Sequence, residues 1–283
     1  MTGTLYVVGT PIGNLSDITV RQLDTLREVD FIAAEDTRVT WKLLTHFDIH
    51  TPLLSYHDHS TRSCAEGIVE RIRGGESCAV VTDAGMPCIS DPGEGLVRLC
   101  CDADIPVRVV PGPSAAISAL AISGLSTARF SFEGFLSTTS KQRREHLESL
   151  RQDCHTLIFY EAPHKLRNTL EDLLTHLGDR RIALCRELTK VYEEVLRFRI
   201  SEAIAYYAEK APKGEYVLIV EGAMPSEGPV MTLAQACDLV QALVQDGMRG
   251  AEACRQMAKE TGFSKSELYA ALLTAQKSKD EDS

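Results

Sequence analysis

Glycine-based phosphate cradles are missing from this chain. No G-x-G-x-x-G run opens its first helix and no Walker A run occurs in its 283 residues, so a standard dinucleotide or ATP phosphate site is excluded. Paired metal ligands are scarce too. Nine cysteines are an odd number, and none stands in a CxxC pair or beside a histidine at zinc-ligand spacing. They are expected as free, mostly buried thiols of a reducing compartment. Tyr56-His57-Asp58-His59 invites a metal reading, but a loop on the substrate side fits it better. No uninterrupted apolar stretch approaches the roughly 20 residues of a membrane span, and the start lacks a basic n-region. A cytoplasmic protein with no membrane contact is expected. Basic charge is also short: the net charge of −10 excludes coating nucleic acid by bulk electrostatics, though a local basic groove stays open.

What the chain does have is alternation. Leu5-Tyr6-Val7-Val8, Phe31-Ile32-Ala33-Ala34, Ser77-Cys78-Ala79-Val80-Val81 and Val107-Arg108-Val109-Val110 are short, largely apolar runs that end in Gly, Pro or acidic residues. Buried parallel strands with loops at their carboxyl ends read this way. Between them lie helical stretches such as 65–73, where Ile68, Val69 and Ile72 share one face. A covered parallel sheet follows. A second set runs through 156–160, 181–185, 193–200 and 216–220, with a helix over 201–210, and predicts a mixed sheet. Gly222, Pro225, Ser226, Gly228 and Pro229 mark a linker. Helices are then expected over 233–245, 251–260 and 264–274, the last two arranged like a helix-turn-helix, and only the last half-dozen residues read as a disordered tail. The fold class is α/β: one lobe over 1–120, a second over 121–224 completing a cleft, and a helical extension over 225–283.

Ligands of open parallel sheets bind outside the strand carboxyl ends. Here those ends carry Gly9 to Asn14, Glu35 to Arg38, Asp83 to Gly93 and Gly112 to Ala115. Such glycine-rich tips let backbone approach a flat or extended ligand closely. In Thr82 to Gly93, Ser90 or Asp91 is expected to cap the following helix with Pro92 at its first position, and Pro163 to open another. Capping does not account for Asp83-Ala84-Gly85.

The ordered series Gly9-Thr10-Pro11-Ile12-Gly13-Asn14, Glu35-Asp36-Thr37-Arg38, Tyr56 to His59, Thr82 to Gly93 and Val110-Pro111-Gly112-Pro113-Ser114-Ala115 resembles the tetrapyrrole methylase-like superfamily. Tyr160-Glu161-Ala162-Pro163-His164 and Arg186-Glu187-Leu188-Thr189-Lys190 extend the likeness, which covers about residues 4–222 and is greatest to the superfamily's group of small-subunit ribosomal RNA methyltransferases. The resemblance implies a homodimer of two-lobed subunits holding S-adenosylmethionine in the cleft. It also implies methylation of the ribose 2′-hydroxyl of a cytidine in the decoding region of 16S rRNA. By motif position, Gly9, Pro11, Asp83, Ala84, Gly85, Asp91, Gly112, Pro113, Ser114 and Ala115 would surround the cofactor. One departure is Thr82, where the group usually has Ser; both carry a hydroxyl.

Each role has a plainer alternative. Asp83 either offsets the positive charge of the cofactor or caps a turn. Ser114 either offers a helix start to the cofactor or caps that helix. Lys190, Glu187, Arg186 and Glu161 are the catalytic candidates at the second lobe's strand tips, with Glu215 a further acid. Lys190 serves as a base only if burial or Arg186 lowers its pKa. Lys141, Arg143 and Arg144 near Phe132 and Phe135, then Arg186, Lys190, Arg197 and Arg199, are candidate RNA contacts. Arg249, Arg255, Lys259, Lys265 and Lys277 on the C-terminal helices are others. The acidic balance favours rRNA within the 30S subunit over naked rRNA. Rival readings are a same-fold enzyme acting on a tetrapyrrole or a diphthamide precursor, and a non-catalytic ribosome-binding protein. The reaction needs no metal.

Overall fold

Continuous runs of β-branched and small apolar residues at 5–8, 31–34 and 78–81 give the central strands of the first lobe two buried faces, which a sheet covered on both sides satisfies. A computed structural model of the chain describes residues 2–57, 60, 62–224 and 231–281. Strands β1 (Leu5–Val8), β2 (Phe31–Ala34), β3 (Leu53–Ser55), β4 (Cys78–Val81) and β5 (Val107–Val110) form an all-parallel sheet in the order β3-β2-β4-β1-β5. Helices α1 (Val20–Glu28) and α2 (Thr37–His46) cover one face, where Leu26 and Leu44 pack on Val8, Ile32, Ala34 and Val81. Helices α3 (Arg62–Arg73) and α4 (Glu94–Asp102) cover the other, where Ile68, Ile72 and Leu96 pack on Leu5, Phe31, Ala33 and Val80.

Helix α5 (Ala115–Ser123) leaves the tip of β5 and packs under the second sheet. Its Ala116, Ala119 and Leu120 share a core with Ile158, Ala183, Cys185, Val217 and Ile219. It thus runs through the expected lobe boundary at 120/121. Gly124 ends it in the left-handed conformation, and Arg197 donates to the orphan carbonyls of Ser123 (3.0 Å) and Ile122 (2.5 Å).

The second sheet joins β6 (Phe130–Phe135), β7 (Thr156–Glu161), β8 (Arg181–Arg186), β9 (Glu194–Arg199) and β10 (Tyr216–Val220) in the order β6-β7-β10-β8-β9. Only β6 and β7 pair in parallel; the rest pair antiparallel, the mixed sheet expected. Helices α6 (Ser140–Ser149), α7 (Leu166–Leu177) and α8 (Ile200–Glu209) close its outer face around Phe159, Leu170, Leu184 and Tyr207.

Several local expectations are corrected. β3 has only three residues at a sheet edge, and a bulge between Phe132 and Gly134 interrupts β6, so neither offers a clear strand period. Helix α4 is not capped by Ser90 or Asp91: Gly93 (φ +130°) is its N-cap, and Pro92 lies outside it. Helix α7 begins at Leu166, leaving Pro163 in the preceding turn.

Residues Met1–Met224 and Pro225–Ser283 form two compact units. In the second, α9 (Leu233–Gln245), α10 (Gly250–Thr261) and α11 (Lys265–Glu281) enclose Val240, Met257, Leu268 and Leu272. A Thr232–Gln235 capping box starts α9, and Gly262 in the left-handed region ends α10. Helix α11 continues to Glu281, where a disordered tail was expected. Asp58 and His59 of the loop considered for metal, and Pro225 to Pro229 of the expected linker, lie outside the described residues. No helix among the described residues is long and apolar enough to cross a membrane.

Phe159 is fully buried at the centre of the second sheet. Phe159→Ala is expected to lower unfolding stability by about 3–5 kcal/mol, measured by urea denaturation.

Candidate active site

The tips of β1, β4 and β5 face those of β7, β8 and β10 across a cleft of ≈ 520 Å³. Its floor on the first lobe is backbone against backbone. A Cβ on Gly9 would stand 2.7 Å from Gly112 Cα, and one on Gly112 would stand 2.5 Å from Gln22 Nε2. Gln22, the partner of the N-cap Thr19 in the α1 capping box, also donates to Gly9 O (2.6 Å), which locks the β1 loop against the helix. Thr10 and Gly85 exchange backbone hydrogen bonds (2.8 and 3.1 Å), and Gly85 sits at φ +87°, where a side chain would be strained. Gly112 N–H points at Met86 Sδ (3.2 Å).

Of the residues expected around a cofactor, Ala84, Gly85, Asp91, Ser114 and Ala115 line the cleft. Gly9 and Gly112 form the close contact behind it, Pro113 O lies 3.6 Å from a Cβ built on Gly85, and half-buried Pro11 falls between Thr10 and the cleft-lining Ile12. Ser114 is the N-cap of α5 by position, but its hydroxyl caps nothing; Ala116 N–H donates instead to Tyr160 Oη (3.2 Å). Asp83 does not line the cleft. Its carboxylate accepts from Asp36 N–H (3.2 Å) while its own N–H donates to Glu35 Oε2 (3.2 Å), tying the tips of β4 and β2 together. Burial pushes the Asp83 carboxyl up, against the pull of the Asp36 N–H.

On the second lobe, Lys190 Nζ donates to Glu187 Oε1 (3.1 Å) and Glu215 Oε2 (2.9 Å). Burial alone would lower the lysine pKa, but the hydrogen bonds to Glu215 and Glu187 outweigh it, and the ammonium is held above its ordinary range. The condition for Lys190 to act as a base is therefore not met. Its stem crosses to the first lobe, with Cγ 2.5 Å from where a Gly13 Cβ would be. Glu187 (φ +51°) and Thr189 (φ +64°) are both left-handed, so this loop is held in a strained shape. Arg186 turns away from the cleft to Glu194 (3.1 Å). Glu161, only 4% exposed, accepts from Ala162 N–H (2.8 Å) and from the Thr169 hydroxyl.

Side chains lining the cleft that were not singled out as site residues include Met86, Ile89, Tyr160, His164 and Tyr216. Tyr160 and His164 stand in a run whose spacing was legible, but which side chain turns to the cleft depends on where α7 starts. Burial holds the Tyr160 phenol and the Cys185 thiol protonated, the latter pushed up to about 11. Several expected RNA contacts serve the fold instead. Arg143 binds Asp172 (2.5 Å) and Thr169 (2.7 Å), Arg197 binds the end of α5, and Arg199 binds Asp179 O (2.8 Å), while Lys141 and Arg144 stay exposed.

With the site in view, comparison with known proteins gives its class. Residues 4–204 match the tetrapyrrole (corrin/porphyrin) methylases, and the chain belongs to that family. Uroporphyrin-III-C-methyltransferase from Thermus thermophilus shares the fold, with a TM-score of 0.54 at 21% identity over 77% of this chain and 94% of that one. The particular likeness is closer. Ribosomal RNA small subunit methyltransferase I of Synechocystis is 48% identical over 268 residues, 94% of this chain and 96% of the relative. The protein of the same name from Bacillus subtilis is 44% identical over 94% and 93%.

Two carboxylates on one ammonium give the site a pH signature. The folded pKa of Glu187 is lowered, chiefly by the Glu215 N–H and then by Lys190, so its stabilisation is present above the ordinary glutamate pKa and lost as pH falls through the folded value. The raised Lys190 pKa makes its share present below the ordinary lysine value and lost above it. The stability difference between wild type and Glu187→Gln is expected to be largest between roughly pH 5 and 10 and to close in acid, read from urea midpoints across pH.

Proposed function

We propose that the chain transfers a methyl group from S-adenosylmethionine to the ribose 2′-hydroxyl of a cytidine in the decoding region of 16S rRNA. The observation that carries the reading is the two-lobed cleft with its close-packed glycine floor, in a chain 44–48% identical to named small-subunit rRNA methyltransferases along 94% of its length.

The residues present fit the cofactor. Gly9 and Gly112 leave no room for side chains where a flat adenosine needs backbone, and Ser114 does not cap α5, so the helix N-terminus beside the Ala116 N–H held by Tyr160 can face a carboxylate. Gly9, Pro11, Ala84, Gly85, Gly112, Pro113, Ser114 and Ala115 hold it, with Asp91 the acid in the cleft and Asp83 bracing the loop behind. S-Adenosylmethionine supplies an electrophilic methyl on a sulfonium. The chain's own contribution is alignment of the ribose oxygen with that methyl and exclusion of water, the positioning that supplies most of the acceleration in such a displacement. Lys190, held as ammonium, is a contact for the anionic RNA backbone rather than a base, and Glu187 with Glu215 orients it.

The acceptor is the assembled 30S subunit in the cytoplasm, because a chain of net charge −10 grips free RNA poorly. The working form is a homodimer. Helix α5 is apolar on both faces: Ala116, Ala119 and Leu120 are buried, while Ile117 (51%) and Ile122 (39%) stay exposed for a second copy to cover. Ile117→Asp is expected to shift the mass measured by light scattering from two chains to one.

Methyl transfer from tritiated S-adenosylmethionine to 30S subunits tests the reading. Label is expected at a 2′-O-methylcytidine of 16S rRNA, reduced at least tenfold in Asp83→Ala. Equal labelling of naked 16S rRNA would count against the assembled subunit, and label confined to a small molecule would return the tetrapyrrole-type acceptor.

A further inference from the structure

Methylating a ribose hydroxyl releases a proton, and the groups first considered to take it are engaged. Lys190 is held as ammonium by two carboxylates, Glu187 accepts from both Lys190 and the Glu215 N–H, and Arg186 is paired with Glu194 outside the cleft. Glu161 is buried and committed to Thr169 and Ala162 N–H, and strand alternation sets it with Phe159 on the α7 face rather than with Tyr160 on the α5 face. Tyr160 Oη accepts from the α5 N-terminus, and Cys185 is held as a thiol. Glu215 is likewise committed, accepting from the Lys190 ammonium (2.9 Å).

Among the described residues, one imidazole lines the cleft. His164 is exposed there and makes no hydrogen bond or ion pair among the described residues. We infer that His164 accepts the ribose 2′-hydroxyl proton, and that a hydrogen-bonded chain from half-buried Arg143 through buried Thr169 to buried Glu161 positions the turn that carries it. This rests on the ribose-methylation reading above.

Imidazole suits the task because its neutral form is available near neutral pH and its basicity matches the reaction. The ribose O–H proton passes to a ring nitrogen as the oxygen's electron pair takes the methyl carbon, whose bond to sulfur breaks with both electrons left on sulfur. The resulting imidazolium gives its proton to solvent, to which His164 is open.

The turn is fixed from below. Arg143 Nε is bound to Asp172 Oδ2 (2.5 Å) and its Nη2 to Thr169 Oγ1 (2.7 Å). The Thr169 hydroxyl donates to Glu161, whose other oxygen accepts from Ala162 N–H (2.8 Å). Lys165 N–H then bonds to Ala162 O (3.0 Å) and Leu166 N–H to Pro163 O (3.4 Å), which closes the turn around His164. The buried Glu161 carboxylate is costly unless its hydrogen bonds are kept, and half-buried Arg143 holds the Thr169 hydroxyl that supplies one of them, so breaking a link frees the turn. Thr169 and Arg143 are positioning residues and His164 the catalytic one. The charged groups next to His164 along the chain are Lys165 and Arg167; across the cleft they are Asp91, Glu187, Lys190 and Glu215.

The test compares wild type, His164→Gln, Thr169→Val and Thr169→Ser on 30S subunits between pH 5.5 and 9, a range set by roughly where imidazoles titrate. His164→Gln is expected to lose about 100-fold or more in kcat, with little change in S-adenosylmethionine KM, and to lose the acid limb of the wild-type profile. Thr169→Val is expected to lose about 10-fold while keeping that limb, and Thr169→Ser to restore the rate. Independently of turnover, carbethoxylation of His164 by diethyl pyrocarbonate, mapped by mass spectrometry, is expected to be blocked by 30S subunits. Wild-type kcat with the acid limb intact in His164→Gln, or carbethoxylation untouched by 30S subunits, overturns the assignment while ribose methylation stands. Wild-type label on a base atom instead of a ribose oxygen overturns both.

Discussion

Helix α5 ties the two sheets into one working unit. It begins at the β5 tip, inside the glycine contact between Gly112 and Gly9, and its body lies in the core of the second sheet against Ile158, Ala183 and Val217. Ala116 and Ala119 are small enough to let it sit close on that sheet, so the tips of β1, β4 and β5 are held opposite those of β7, β8 and β10. The cleft is a consequence of this packing.

Electrostatics in the cleft are arranged by commitment rather than by free charge. Each ionic group that the sequence offers at the second lobe's strand tips has a partner: Lys190 with Glu187 and Glu215, Arg186 with Glu194, Glu161 with Thr169. These pairings hold strained backbone at Glu187 and Thr189 and bring the Lys190 stem against Gly13 of the first lobe. The rest of the lining includes backbone, the apolar Met86 and Ile89, an aromatic wall at Phe135 and Tyr160, Asp91, and the His164 imidazole. A site of this kind works by alignment.

The first sheet was legible because its central strands β1, β2 and β4 are doubly buried and end in punctuating Gly, Pro or acidic residues; Ile32 and Phe31 face opposite cores, as a continuous apolar run requires. Elements failed to show where the local signal is weak: β3 is three residues long and β6 is broken at Gly134. Capping chemistry misled at Ser90 and Pro163, since a helix can start on a glycine or after a turn when its apolar face is already buried. Basic clusters misled for a related reason: Arg143, Arg197 and Arg199 satisfy buried or terminal oxygens, and spacing alone does not distinguish that from phosphate contact.

The sequence alone was enough for the order of elements, the family likeness and the loops that meet at the cleft, because these follow from periodicity and from glycine and proline positions along the chain. Tertiary structure decided the state of each side chain in it. The protonated state of Lys190 and the commitment of Glu161 depend on partners 3 to 25 residues away, and the exposure of His164 on how its turn packs. Hydrogen bonds and desolvation act over a few ångströms in space, whatever the separation in sequence, so only folding could set them.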